Sequence, residues 1–238
     1  LRDKHGVEIV SSIGDLRGVC DALMIESVDG RVHLPQFLEV SCWGVPVFFD
    51  KPLAITKQDA GDILKLARDN GVRVSSASAL RFAADFRGAL HASPDPVLGA
   101  DIFGPMEFVD KCPGYFWYGI HSVEMLFASM GTGCCSVQAV REELHDVLLG
   151  RWADGRVGCV RGNRAGDGIF GGVIHRLSRS DAFEVSAASK PFYASLLEGI
   201  VSFFRGENGL VAAPEMLEVV AFLEAANRSA LTGSREGV

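Results

Sequence analysis

The chain has 238 residues, 48% of them hydrophobic and 22% charged, and a formal net charge of −7. That is the balance of a soluble globular protein with a core large enough to need no staples. The basic residues do not cluster, which argues against nucleic acid and against an anionic membrane surface, because phosphate binding needs a basic face.

No apolar run approaches the length of a membrane span. No charged segment followed by an apolar one opens the chain, so no signal peptide is read, although the chain begins with Leu1 rather than Met. The six cysteines form no C-x-x-C pair, so a zinc site of that kind is not expected. Scattered thiols fit a reduced, cytoplasmic protein.

Residues 7–10 read as a short strand, with Ser12 or Asp15 capping a brief helix after it. Residues 22–25 are an apolar run and a second strand. Leu34, Phe37, Leu38 and Cys42 fall at helical spacing. Residues 45–49 form a third strand. Thr56 and Asp59 resemble a capping box, and Ala60, Ile63, Leu64 and Ala67 give one apolar helix face that Gly71 ends. Residues 72–76 are a fourth strand. Strands alternating with helices predict a parallel sheet.

The pattern changes after residue 80. Helices are expected at 82–90 and 119–130, the latter with Val123, Leu126, Phe127 and Met130 on one face. Strand candidates then follow without long helices, at 136–141, 146–152, 156–161 and 170–174, with Asp154-Gly155 as a hairpin turn. This predicts an antiparallel sheet. Two helices end the chain, 191–205 with Ala194, Leu197, Ile200, Val201 and Phe204 on one face, and 214–231. Each has Pro at its start. The fold class is therefore α/β, a partial parallel sheet over residues 1–80, followed over 81–238 by an α+β domain with a large, mostly antiparallel sheet.

Asp50-Lys51-Pro52 ends the third strand. A charged pair at the carboxyl end of a buried strand lies where open α/β sheets bind ligands. The alternative is a turn with a solvated Lys and a Pro that stops the strand. Gly166 to Gly171 matches G-x-G-x-x-G, but Gly172 to His175 reads as strand where that motif needs a helix, so a hairpin turn is expected there instead of a dinucleotide site. His121 and Glu124 share a helix face at i, i+3, and no third metal ligand is visible.

Taken in order, these stretches resemble the Gfo/Idh/MocA family of NAD(P)-dependent sugar and cyclitol oxidoreductases. Asp50-Lys51-Pro52 resembles its Glu-Lys-Pro motif, and Ser27 to His33 the His-bearing loop after the fourth strand of its Rossmann domain. Ser78 to Phe82 resembles the segment leaving that domain, Gly119-Ile120-His121 the end of its Asp-x-Gly-x-His motif, and Ala225 to Gly233 its C-terminal helix ending. Two features depart from the family. The opening strand, glycine loop and helix that hold the pyrophosphate are not in this sequence, so an N-terminally incomplete chain and weak NAD(P) binding by it are expected. The carboxylate four residues before the His is replaced by Trp117.

The resemblance implies hydride transfer between NAD or NADP and a secondary alcohol of a sugar-like or cyclitol-like substrate. It implies His121 as the base and Lys51 as the cation on the substrate hydroxyl. Asp50 would accept from cofactor ribose or orient Lys51, Ser27 would lie on the cofactor side, and His33 and Arg81 would border the nicotinamide. Glu124 would replace the lost carboxylate beside His121. Trp117 and Tyr118 are either core packing or a stacking wall for a sugar ring. A homo-oligomer is implied as well. The rival expectation is a non-catalytic relative, a binding or assembly module, or a truncated inactive fragment.

Overall fold

The computed structural model describes residues 1–110, 112–186, 190–207 and 209–238. A short helix α1 (Arg2–His5) and a 3-10 turn at Ile13–Leu16 lead into a three-stranded parallel sheet. Its strands β1 (Leu23–Ile25), β2 (Val47–Phe49) and β3 (Val74–Ser76) lie in that order. All three residues of the central β2 are buried. A strand covered on both faces has no solvent side, so its sequence is continuously apolar rather than alternating.

Residues 7–10, expected as a strand, join no strand among the described residues, and Val7, Ile9 and Val10 are exposed. Strand propensity counts only where there is a ladder to join.

Between the strands run α2 (His33–Val40) and α3 (Lys57–Asp69). The α3 boundaries follow their signals: Thr56 Oγ1 accepts the Asp59 N–H at 3.0 Å, and Gly71 takes the left-handed φ of +66°. In α2 the buried face is His33, Phe37 and Val40, while Leu38 and Cys42 are exposed. The expected stripe is displaced because a histidine, read as polar, is one of its buried members.

The second sheet has seven strands in the order β10-β5-β6-β7-β4-β8-β9. They are β4 (Val97–Pro105), β5 (Cys134–Arg141), β6 (His145–Trp152), β7 (Val157–Asn163), β8 (Gly171–Arg176), β9 (Ser180–Glu184) and β10 (Glu236–Gly237). Every adjacent pair is antiparallel except β4 with β7. The hairpin at Asp154-Gly155 forms as expected, with Gly155 at φ +90°. Gly166 and Gly168 lie in a loop and Gly171 opens β8, but the loop is not a hairpin: it crosses over β4, which sits between β7 and β8.

Strands β4, β9 and β10 were not expected. β4 hides because Gly99, Asp101, Gly104 and Pro105 are residue types that strands disfavour. Its glycines are there for close approach: a Cβ on Gly99 would stand 2.8 Å from the Val157 carbonyl oxygen, and one on Gly104 would meet Phe170 and Ser122.

Helix α4 (Ala84–Leu90) follows a separate 3-10 turn, Ala79–Phe82, rather than one continuous helix. Helix α5 (Gly119–Met130) packs on β4 and β7 and is buried on nearly every side. It seats there because the facing strand is pared down: a Cβ on Gly158 would lie 2.7 Å from Leu126 Cδ1. Helix α6 (Phe192–Arg205) buries Leu196, Ile200 and Phe203, leaving Leu197 and Val201 exposed, one position away from the expected face. Helix α7 (Ala213–Thr232) contacts β5, α3, α5 and β3, so it joins the two sheets.

Candidate active site

The carboxyl ends of β1, β2 and β3 lead into the three segments that build the site: 26–33, 50–54 and 77–82. The first two are pinned together by His33. Its fully buried ring places Nε2 2.7 Å from the Ser27 carbonyl and Nδ1 3.1 Å from the Leu53 carbonyl, and it packs on Phe49 with ring centroids 5.6 Å apart. Gly30 lets the same segments meet, since a Cβ there would stand 3.0 Å from Pro52 Cγ. His33 is thus spent on backbone. Ser27 directs its hydroxyl to the Gln36 amide.

Asp50 and Lys51 project where β2 ends, and the Lys51–Pro52 peptide is cis. Burial raises the Asp50 pKa, partly offset by the Lys51 charge. Burial lowers that of Lys51, partly offset by Asp50. The Lys51 ammonium forms no ion pair among the described residues. It donates to the Trp117 carbonyl at 3.1 Å and lies 5.1 Å from the centre of the Trp117 ring.

Trp117 belongs to an aromatic stretch that ends at the start of α5. Tyr118 follows it, and His121 stands in the first turn of that helix. The His121 ring is flanked edge-on by Tyr118 and Phe170, each with centroids 5.8 Å away. Its Nδ1 is 2.7 Å from Ser78 Oγ, on the segment after β3. Burial, aided by the Lys51 charge, pushes the His121 pKa down to about 3, so the ring is neutral near pH 7.

Lys51, Trp117, Tyr118 and His121 are therefore brought together. Arg81 and Glu124 are not part of that group. Arg81 Nε bonds Glu124 Oε2 at 2.7 Å, and its Nη2 reaches Glu215 Oε1 at 2.6 Å. The residue beside His121 is Ser78 instead of Glu124, because the Glu124 carboxylate is already committed to Arg81. Ser78 was missed as a site residue. Its signal was local, a serine capping the 3-10 turn by accepting the Leu80 N–H, and nothing in that spacing announces a histidine 43 residues on.

Beside Trp117 opens a cleft of about 490 Å³, lined by Val28, Asp29, Arg31, Val109, Cys112 and Trp117. That is within the range of small-molecule sites. The Cys112 thiol forms part of its wall, and burial raises its pKa. Among the described residues, no group of three or more His, Cys, Asp or Glu side chains is placed to hold a metal ion. No helix among them is long and apolar enough to cross a membrane.

The chain matches no protein-family model and no curated protein. It does match solved structures. GenD2 from gentamicin A biosynthesis, in complex with NAD, superimposes with a TM-score of 0.84 at 16% identity, over 100% of this chain and 84% of that one. UDP-N-acetylglucosamine 3-dehydrogenase GnnA from Acidithiobacillus ferrooxidans gives 0.81 at 12% identity, over 96% and 86%. The WlbA dehydrogenase from Bordetella pertussis, in complex with NADH and UDP-GlcNAcA, gives 0.73 at 20% identity, over 100% and 85%. The chain has the fold of these dehydrogenases. The parallel sheet followed by a large, mostly antiparallel one, expected from the motifs and the element pattern, is that fold.

Proposed function

We propose that the chain is a Gfo/Idh/MocA-type oxidoreductase that transfers a hydride between NAD(P) and a secondary alcohol of a sugar-like or cyclitol-like substrate. The observation that carries this reading is the meeting of Lys51 and His121. Lys51 stands at the carboxyl end of the parallel strand β2 and His121 in the first turn of α5, close enough that the charge of one bears on the other. The neighbouring folds support it, since GenD2 was solved with NAD and WlbA with NADH and a nucleotide sugar.

The residues present fit the nicotinamide–ribose end of such a cofactor. Asp50 offers an acceptor for a ribose hydroxyl, and Ser27 lies on the same rim. When bound, the cofactor supplies or takes the hydride. Lys51 and His121 would flank the reacting oxygen. Trp117 and Tyr118 would wall the substrate and keep water out, which strengthens every polar contact inside. The reading also takes residues 1–80 as the cofactor side and 81–238 as the substrate side, with a cytoplasmic homo-oligomer as the working form.

The test is a panel of sugars, cyclitols and nucleotide sugars with NAD⁺ and NADP⁺, at cofactor concentrations high enough to offset the weak binding expected of this chain, followed by nicotinamide absorbance. Turnover is expected for at least one. Lys51→Ala and His121→Ala should each lower it by about 10²-fold or more, the scale of lost acid–base or electrostatic help. No turnover across the panel, or near-normal rates in both variants, rejects the proposal.

A further inference from the structure

The Ser78 hydroxyl meets the His121 ring at Nδ1. Ser78 is fully buried. Its Oγ accepts the Leu80 N–H at 3.2 Å and lies 2.7 Å from His121 Nδ1. A serine hydroxyl has one hydrogen to give and two lone pairs, and Leu80 occupies one of the pairs. A proton on Nδ1 would occupy the other and leave the Ser78 hydrogen buried with no acceptor, the costly outcome for a buried donor. A hydroxyl that donates to Nδ1 leaves the buried Ser78 oxygen and Nδ1 both paired. The neutral ring then holds its own proton on Nε2, which bonds no protein group among the described residues.

We propose that Ser78 is the positioning residue of His121, fixing the proton on Nε2, so that His121 offers a hydrogen-bond donor to the reacting oxygen while the reaction's proton moves at Lys51 Nζ. This rests on the reading of the site as an alcohol–carbonyl oxidoreductase. In the reducing direction the carbonyl carbon receives the hydride, and the carbonyl π pair moves to oxygen. The Lys51 ammonium gives that oxygen its proton and becomes an amine, which regains a proton from solvent. In the oxidising direction the Lys51 amine takes the hydroxyl proton as the hydride leaves carbon for the oxidised nicotinamide. His121 keeps its proton throughout and stabilises the negative charge that builds on oxygen.

The opposite arrangement follows when a carboxylate bonds Nδ1. A carboxylate only accepts, so it holds the proton on Nδ1 and leaves Nε2 bare, as a base. Here the nearby carboxylate, Glu124, is held by Arg81, and the ring meets a hydroxyl that donates. The electrostatics agree with the geometry. Burial and Lys51 keep the imidazole uncharged, the state in which it acts as an electrophile, and burial moves Lys51 toward the range where an amine exchanges protons.

The direct test is long-range ¹H–¹⁵N correlation of the histidine side chains in the ¹⁵N-labelled protein near neutral pH, with His121 assigned from the His121→Gln variant. The expected result is a protonated Nε2 and a bare Nδ1 for His121 in the wild type and in Ser78→Thr, which keeps the hydroxyl, and a mixture of tautomers in Ser78→Ala. A wild-type ring protonated on Nδ1 overturns the proposal, and so does an unchanged tautomer in a folded Ser78→Ala. These readouts need no turnover, so they stand or fall apart from the assigned activity.

The kinetic arm uses His121→Gln, whose amide donates but takes no proton. It should lose clearly less turnover than Lys51→Met, which loses about 10²-fold or more. Equal losses in the two variants overturn the assignment of the proton to Lys51.

Discussion

Two polar clusters meet helix α5 one turn apart, and they treat charge in opposite ways. At Glu124, two carboxylates and a guanidinium close on each other: Arg81 lies between Glu124 and Glu215, and the Arg81 and Glu124 side chains are 8% and 6% exposed. At His121 no ion pair closes among the described residues, and Asp50 offsets the Lys51 charge only in part. The imidazole is held neutral by burial and by Lys51, whose ammonium rests on a carbonyl and an indole face instead of a carboxylate. A cluster whose charges are spent on one another holds helices in place. A partly buried cation with no ion pair costs stability, and perturbed charges of that kind gather at functional sites. Both contain the residue types a sequence reader would choose for catalysis, and only the pairing separates them.

The largest effect should come from breaking the cancelled cluster. Arg81→Leu leaves Glu124 and Glu215 facing each other in a buried site with no cation. Loss of one partner from a buried ionic group costs about 3–5 kcal/mol, to be read as a shift in the urea midpoint at unchanged slope. A loss below about 1 kcal/mol, the scale of an exposed pair, would show that the cluster is not structural and would erase the contrast.

That contrast explains how far the sequence could be read. Three of the four strands expected in the parallel sheet, the α3 boundaries and the β6–β7 hairpin were legible because each depends on residues close in the chain: an apolar run, a cap, a turn dipeptide. That Lys51 and His121 lie near each other was legible because each sits in a motif. The environment of those motifs was not. Arg81 and Glu124 were read as site residues because nothing local reports that they bond each other across 43 positions. His33 carries the right residue type, but its two ring nitrogens go to backbone carbonyls. Ser78 showed only its capping role. Strand β4 was hidden by the glycines that admit its neighbours, because a residue chosen for what packs on it looks, in sequence, like a residue chosen for a turn.

Lys51→Met should have a smaller effect on stability, of the opposite sign. It replaces an ammonium that burial disfavours with an apolar chain of similar length. The expected change is zero to about 1 kcal/mol of stabilisation, because desolvating an unpaired cation is unfavourable. Urea unfolding measures it, beside the loss of turnover. A destabilisation of about 2 kcal/mol or more, beyond what ordinary surface changes give, would place Lys51 with Arg81 as a structural cation.

The smallest effect at neutral pH should be that of His121→Gln on stability, since both side chains are uncharged there. The difference should open only in acid. The folded His121 has its pKa pushed from an ordinary 6.5 down to about 3, so between those values the unfolded chain binds a proton that the folded chain refuses. The stability this residue contributes is therefore complete above about pH 6.5 and is lost progressively as pH falls through that window. Asp50 and Glu124, whose pKa values burial raises, titrate with the opposite sign, but they are common to both proteins and cancel in the difference. Wild type minus His121→Gln should thus be flat from about pH 7 upward. Below it the difference should fall by at most the one-proton slope, about 1.4 kcal/mol per pH unit. Urea midpoints taken at several pH values in this range measure it. A difference that stays flat in acid would mean that His121 takes up its proton as readily folded as unfolded, and the separation between the cancelled cluster and the neutral one would no longer hold.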